Sequence, residues 1–187
     1  PILRDINFSL PSKGRIALQG RNGSGKSTLL KAILGQEHII KTGQWHIPHS
    51  KVIGYLDQHY GTLCPHHSVL ETIAEIRPDW DHGTLRRHLN DFLFRKNEEV
   101  AAPIQSLSGG EKARLSLACI AAKTPHLLIL DEVTNNLDLE TKGHVASVLK
   151  DYPGALIIVS HDEGFLEDLG MDGFYEIRDG KVERVTV

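Results

Sequence analysis

The stretch Gly20 to Thr28, GRNGSGKST, has the residue types and spacing to hold an anionic group. Gly20, Gly23 and Gly25 can take backbone angles closed to other residues, so main-chain N–H groups can turn inward around an anion. A glycine, four residues, then Gly25, Lys26 and Ser27 is the pattern of a nucleotide phosphate site. In it Lys26 reaches the β and γ phosphates, the Ser27 hydroxyl holds Mg²⁺ and Thr28 adds a bond to the α phosphate. Asn22 and Ser24, inside the same turn, count with the nucleotide-binding residues. The plain alternative is a glycine-rich turn.

Hydrolysing a nucleoside triphosphate needs more than a cradle: a metal, a group to orient water, and polar groups on the γ phosphate. Asp131 closes the apolar run Leu127 to Leu130, where a carboxylate is costly unless paired or metal-bound. It is the candidate to hold Mg²⁺ through the ion's water shell, and Glu132 the candidate to polarise the attacking water. Gln58 leaves another strand-like run and is a candidate to touch both metal and water. His161 follows the run Ala155 to Val159 and is a candidate for the γ phosphate. Gln58 also reads as a turn residue, and His161 as a loop histidine beside Asp162. Their order and their places at strand ends make the set stronger than its members.

Those groups must be carried by elements that end together. Ile16 to Leu18 reads as a strand before the glycine turn, and Leu29, Leu30, Ala32, Ile33 and Leu34 as a helix after it. Ile2, Leu3, Ile6, Phe8 and Leu10 alternate as an antiparallel strand closed by Pro11 to Gly14. Two short strands are predicted at 44–47 and 51–56. From Ser68 to Val100 the spacing becomes helical, in two groups separated by Pro78 and Gly83. Ser108, with Glu111 three residues on, forms a capping box for a helix whose apolar face holds Leu115, Ala118 and Ile120. Two glycines in its first turn each cost about 1 kcal/mol relative to alanine, which makes sense if something must approach the backbone closely. Strands at 127–130 and 155–159 flank a helix at 139–149. A short helix at 165–169 and strands at 174–177 and 182–187 complete the chain. The fold class is α/β, with a mostly parallel central sheet, a small antiparallel β portion and an inserted α-helical block.

With 187 residues, 40% hydrophobic and 24% charged, the chain can bury a core as one domain. A formal charge of -3 argues against nucleic-acid binding through bulk positive charge. Cys64 and Cys119 stand apart without zinc-ligand spacing, and Cys64, His66 and His67 read as solvated loop residues. Unpaired cysteines fit a reducing cytosol. No apolar run approaches the ~20 residues that span a bilayer. The chain opens on Pro1, directly in a strand-like segment, as a piece of a longer polypeptide would.

The full set of motifs resembles, from end to end, the nucleotide-binding domain of the ATP-binding cassette (ABC) superfamily, with its P-loop NTPase core. GRNGSGKS is similar to its Walker A, Gln58 to the Q-loop glutamine, LSGGE to the family signature, LLILDE to the Walker B, NNLD with Asp138 to the D-loop, and His161 to the switch histidine. The resemblance implies ATP and Mg²⁺ as cofactors and one cassette domain over 1–187, its core at about 1–59 and 106–187 and a helical subdomain at about 60–105. It also implies that two cassettes close head to tail. Ser108, Gly109, Gly110 and Glu111 of one then present helix N-terminal N–H groups to the γ phosphate held by the other. One chain supplies two half-sites and no complete one.

LSGGEKARLSLA, YLDQHYG, TNNLDLET and VSHDEGFL further resemble the ABC-F branch, whose members carry two cassettes in one polypeptide and act on ribosomes. The compact block between Gln58 and Ser108 resembles that of a second, C-terminal cassette. A cytoplasmic, ribosome-associated ATPase is the leading expectation. The alternatives are the motor subunit of a membrane transporter and a non-hydrolysing, ATP-gated interaction module. Two departures stand out. Val133 occupies the place of a proline, and the adenine-stacking aromatic expected before the first strand has no counterpart here.

Overall fold

The computed structural model describes residues 3–57, 63–135 and 137–185. Strand β1 (Arg15–Gln19) leads through the glycine turn into helix α1 (Lys26–Ile33), and β2 (Ile53–Asp57) follows a 3-10 turn at Ser50–Val52. Helices α2 (Val69–Ile76), α3 (His82–Asp91) and α4 (Asn97–Ala101) come next, before the long α5 (Gly109–Lys123). Strand and helix then alternate through β3 (Leu127–Asp131), α6 (Leu139–Lys150), β4 (Ala155–Val159), α7 (Glu163–Leu169) and the hairpin β5 (Gly173–Arg178) and β6 (Lys181–Val185).

The sheet order is β2-β3-β4-β1-β5-β6. The first five strands are parallel and β6 is antiparallel to β5, so the expected small antiparallel portion lies at this end of the sheet. Because side chains alternate along a strand, the register sorts them into two layers. Leu56, Leu130, Ile158 and Ala17 form one row, and it packs with α5, α6, α7 and the α2–α4 block. The neighbouring row, Ile129, Ile157 and Ile16, packs with Leu29, Leu30 and Ile33 of α1. Both faces are covered, which is why the inner strands read as continuous apolar runs.

Parallel pairing also brings the strand ends to one edge. Asp57 pairs with Asp131, and Asp131 with Val159. Two steps on from Ile129, Asp131 has the parity of the α1 face, so it stands on the side where Lys26 begins α1. The expected strand over residues 2–10 does not form in its described part, nor does one at 44–47. A strand needs a paired backbone. In residues 3–10 the Arg4 N–H donates to the Gly180 carbonyl at 2.8 Å, but no ladder develops. The alternation still expresses itself in packing, since Ile6, Phe8, Leu10, Trp45 and Ile47 all lean on the α1-side core. No helix among the described residues is long and apolar enough to cross a membrane.

Candidate functional site

Gly20, Gly23 and Gly25 have φ of 145°, 79° and 111°. At Gly20 the requirement is also steric: a Cβ there would lie 2.7 Å from Ser24 Oγ and 2.8 Å from the Ile177 carbonyl oxygen. Gly25 is the N-cap of α1 in the left-handed region, so no side chain caps the helix, and its first turn carries no acid. The positive end of α1 is thus left facing the turn. Lys26, only 8% exposed, donates from Nζ to the carbonyls of Gly20 at 2.6 Å and Arg21 at 3.2 Å. Ser24 Oγ is buried and makes no hydrogen bond, the kind of orphaned polar atom that a ligand oxygen would satisfy. Ser27 and Asn22 are exposed, and Thr28 is half-buried.

Across the sheet, the Tyr55 hydroxyl donates to Asp131 Oδ2 at 3.2 Å. Burial raises the Asp131 carboxyl above the ordinary range, with the charges of Glu132 and Asp57 adding to it, while Tyr55 and the Lys26 ammonium pull the other way. Tyr55 is itself pushed up, first by burial and then by the Asp131 charge, so it remains a hydrogen-bond donor.

Glu132 sits in the left-handed region at φ 55°, which costs a non-glycine residue about 1–2 kcal/mol. Its N–H donates to the Val159 carbonyl at 2.9 Å, which pins the turn to β4. The side chain is held on both oxygens: Oε1 lies 3.4 Å from His161 Nε2, and Oε2 accepts from Asn135 Nδ2 at 3.3 Å. The Glu132 side chain is 20% exposed and that of His161 58%. Beneath them Thr134 Oγ1 and Ser160 Oγ share a buried hydrogen bond of 2.9 Å. Backbone strain and a fixed carboxylate at one point are a common mark of a functional residue.

The start of α5 has the capping box that its sequence implied. Ser108 Oγ accepts from the Glu111 N–H at 3.3 Å, while Glu111 Oε2 accepts from the Ser108 N–H at 2.8 Å and its hydroxyl at 2.7 Å. Ser108 and Gly109 are exposed. Gly110 fits against the start of α6, where a Cβ would be 3.2 Å from Thr141 Oγ1 and 3.5 Å from Asp138 Oδ2. Asp138 caps α6, accepting from the Thr141 N–H at 2.8 Å and its hydroxyl at 3.0 Å. Those bonds hold its carboxyl below the ordinary range.

The structure therefore brings Lys26, Asp131, Glu132 and His161 to one edge of the sheet, and places Ser108 to Glu111 on a separate, outward-facing helix start. Gln58 lies outside the described residues. Tyr55, Thr134, Asn135 and Ser160 belong to the site without having been singled out in the sequence. Tyr55 carries one readable signal, a polar-tipped aromatic two residues before Asp57. Thr134 and Asn135 lie within TNNLDLET and Ser160 within VSHDEGFL, the stretches that carry the resemblance, but their contacts depend on register and turn geometry.

The sequence profile of the family described as ABC transporter matches residues 3–135. The chain is 39% identical over 183 residues to the Probable ATP-binding protein YheS of Haemophilus influenzae, covering 97% of this chain and 28% of that protein. It is 36% identical over 187 residues to the ATP-binding protein Uup of Escherichia coli, covering 98% and 29%. The chain thus spans less than a third of the length of either of these two relatives. Its fold is that of a solved ATP-binding cassette dimer in a post-hydrolysis state with ADP and Pi. That match has a TM-score of 0.75 and 20% identity, and covers 100% of this chain and 91% of the other.

Proposed function

The chain belongs to the ABC transporter family, and from that premise we propose that it is an ATP-hydrolysing cassette of a cytoplasmic, ribosome-associated ABC-F protein. The observation that carries the hydrolytic reading is the Glu132 carboxylate, held by His161 and Asn135 directly after Asp131. A carboxylate with both oxygens fixed is prepared to orient water and take its proton. Relatives named as ATP-binding proteins support ATP as the substrate. We read the whole chain as one cassette, with a core at about 1–59 and 106–187 and the helices between them as its subdomain.

In this reading the uncapped start of α1 and the turn around Ser24 bind the phosphates. Lys26 exchanges the Gly20 and Arg21 carbonyls for phosphate oxygens. Ser27 and Asp131, joined by Gln58, would hold Mg²⁺; they offer the hard oxygen donors that this ion prefers, few enough to leave it several waters. Held there, it would supply charge neutralisation on the phosphates. Among the described residues no larger group of His, Cys, Asp and Glu could hold a metal. His161 steadies Glu132 and reaches toward the γ phosphate. The exposed start of α5 faces outward, as the half-site for a second cassette's nucleotide would, and the dimeric state of the solved cassette supports such a partner.

The test is single-turnover ATP hydrolysis by the whole protein. Glu132→Gln should slow it by at least about a hundredfold and trap an ATP-bound closed state that co-sediments with ribosomes. Equal rates for wild type and variant would remove the hydrolytic reading. Pelleting with membranes in place of ribosomes would favour a transporter motor.

A further inference from the structure

We infer that Lys142, through its ion pair with Asp162, holds the His161 imidazole against Glu132 and so acts as a positioning residue for hydrolysis. The inference rests on the hydrolytic reading above. Lys142 lies in the first turns of α6, outside the motifs that carry the family resemblance. Its Nζ is 2.6 Å from Asp162 Oδ2, with the two side chains 28% and 29% exposed, which sets the pair apart from the solvated ion pairs that contribute almost nothing.

His161 has little of its own to fix it. Its side chain is 58% exposed, and its contact to Glu132 is 3.4 Å long. Its place therefore depends on the residues either side. On the near side, Ser160 Oγ is bonded to Thr134 in the turn that carries Glu132. On the far side, Asp162 sends its N–H to Ser160 Oγ at 3.1 Å, and its Oδ1 accepts from the Phe165 N–H at 3.1 Å as the N-cap of α7. Without Lys142 the Asp162 carboxylate would be held by the start of α7 alone, leaving the far side of His161 to follow that short helix. The charge-assisted bond to Oδ2 adds a second, independent support, α6. The Asp162 carboxyl is held below the ordinary range, first by Lys142 and then by the Phe165 N–H, in keeping with a carboxylate that stays charged and bonded on both oxygens.

A pair that serves stability alone would leave catalysis untouched, so the test separates the two. In the whole protein, Lys142→Met keeps the length of the stem and its fit to a helix. It should lower kcat for ATP by about tenfold with KM unchanged, since displaced catalytic groups cost rate more than binding. Lys142→Arg should restore kcat to within about twofold. Asp162→Asn retains the α7 cap and should lose as much as Lys142→Met. The double variant should be no worse than either single one, the mark of residues acting through one contact. A wild-type kcat in Lys142→Met or in Asp162→Asn, or strictly additive losses in the double variant, would overturn the inference. Should Lys142→Met fail to fold, Asp162→Asn and Lys142→Arg decide alone. A wild-type protein without ATPase activity would instead sink the hydrolytic reading, and the inference with it.

Discussion

Asp131 is caught between burial and use. Burial raises its carboxyl above the ordinary 3.8, so an unfolded chain releases this proton at lower pH than the folded one. Between those two values the folded state holds more protons, and stability falls as pH rises through that window. Above it the full penalty of a buried charge persists. Asp131→Asn removes that charge while its amide oxygen can still accept from Tyr55. The nucleotide-free protein should therefore unfold at a higher urea midpoint at pH 7 than wild type, and ATP hydrolysis should fall by at least about a hundredfold. A midpoint at or below that of wild type would contradict the burial argument. Asp131 was legible in the sequence because a carboxylate ending an apolar run has few bland explanations. Tyr55 was not, because its bond depends on which strand pairs with which, and nothing local encodes that β2 lies beside β3.

At the level of elements, α5 and α6 start side by side, and both starts are capped by side chains. Asp138, expected from resemblance as a D-loop residue, is seen here closing the first turn of α6. Asp138→Ala should cost about 1 kcal/mol in urea unfolding, and Asp138→Asn only a fraction of that, since asparagine caps about as well as aspartate. If alanine and asparagine destabilise equally, the cap is not what Asp138 contributes. Caps and helices were readable because they depend on neighbours within four residues. The segments 3–10 and 44–47 were misread as strands for the opposite reason. Their alternation correctly told which side chains turn to the core, but a strand exists only where a second backbone comes alongside, and period-2 spacing says nothing of that.

Across the whole molecule the sheet divides the apolar interior into two layers, yet each inner strand belongs to both. Leu128 and Leu130 serve one layer, Leu127 and Ile129 the other. Neither layer can loosen alone without exposing a strand that the other needs, so unfolding should be a single cooperative event. The two tryptophans sit on opposite sides and can report it: Trp80 packs on the layer of α5 and α6, Trp45 on that of α1. Urea transitions followed by fluorescence in Trp45→Phe and Trp80→Phe should coincide, and separated midpoints would reveal two units where we describe one. The close fit of Gly110 against Thr141 and Asp138 has a consequence of another kind. With Gly110 this close to Thr141 and Asp138, a shift of the turn that begins α5 should carry the cap of α6 with it, so that the two behave as one body. Two ligands that each prefer a different position of one body cannot bind in ignorance of each other. Whatever factor the first imposes on the affinity of the second, the second imposes on the first.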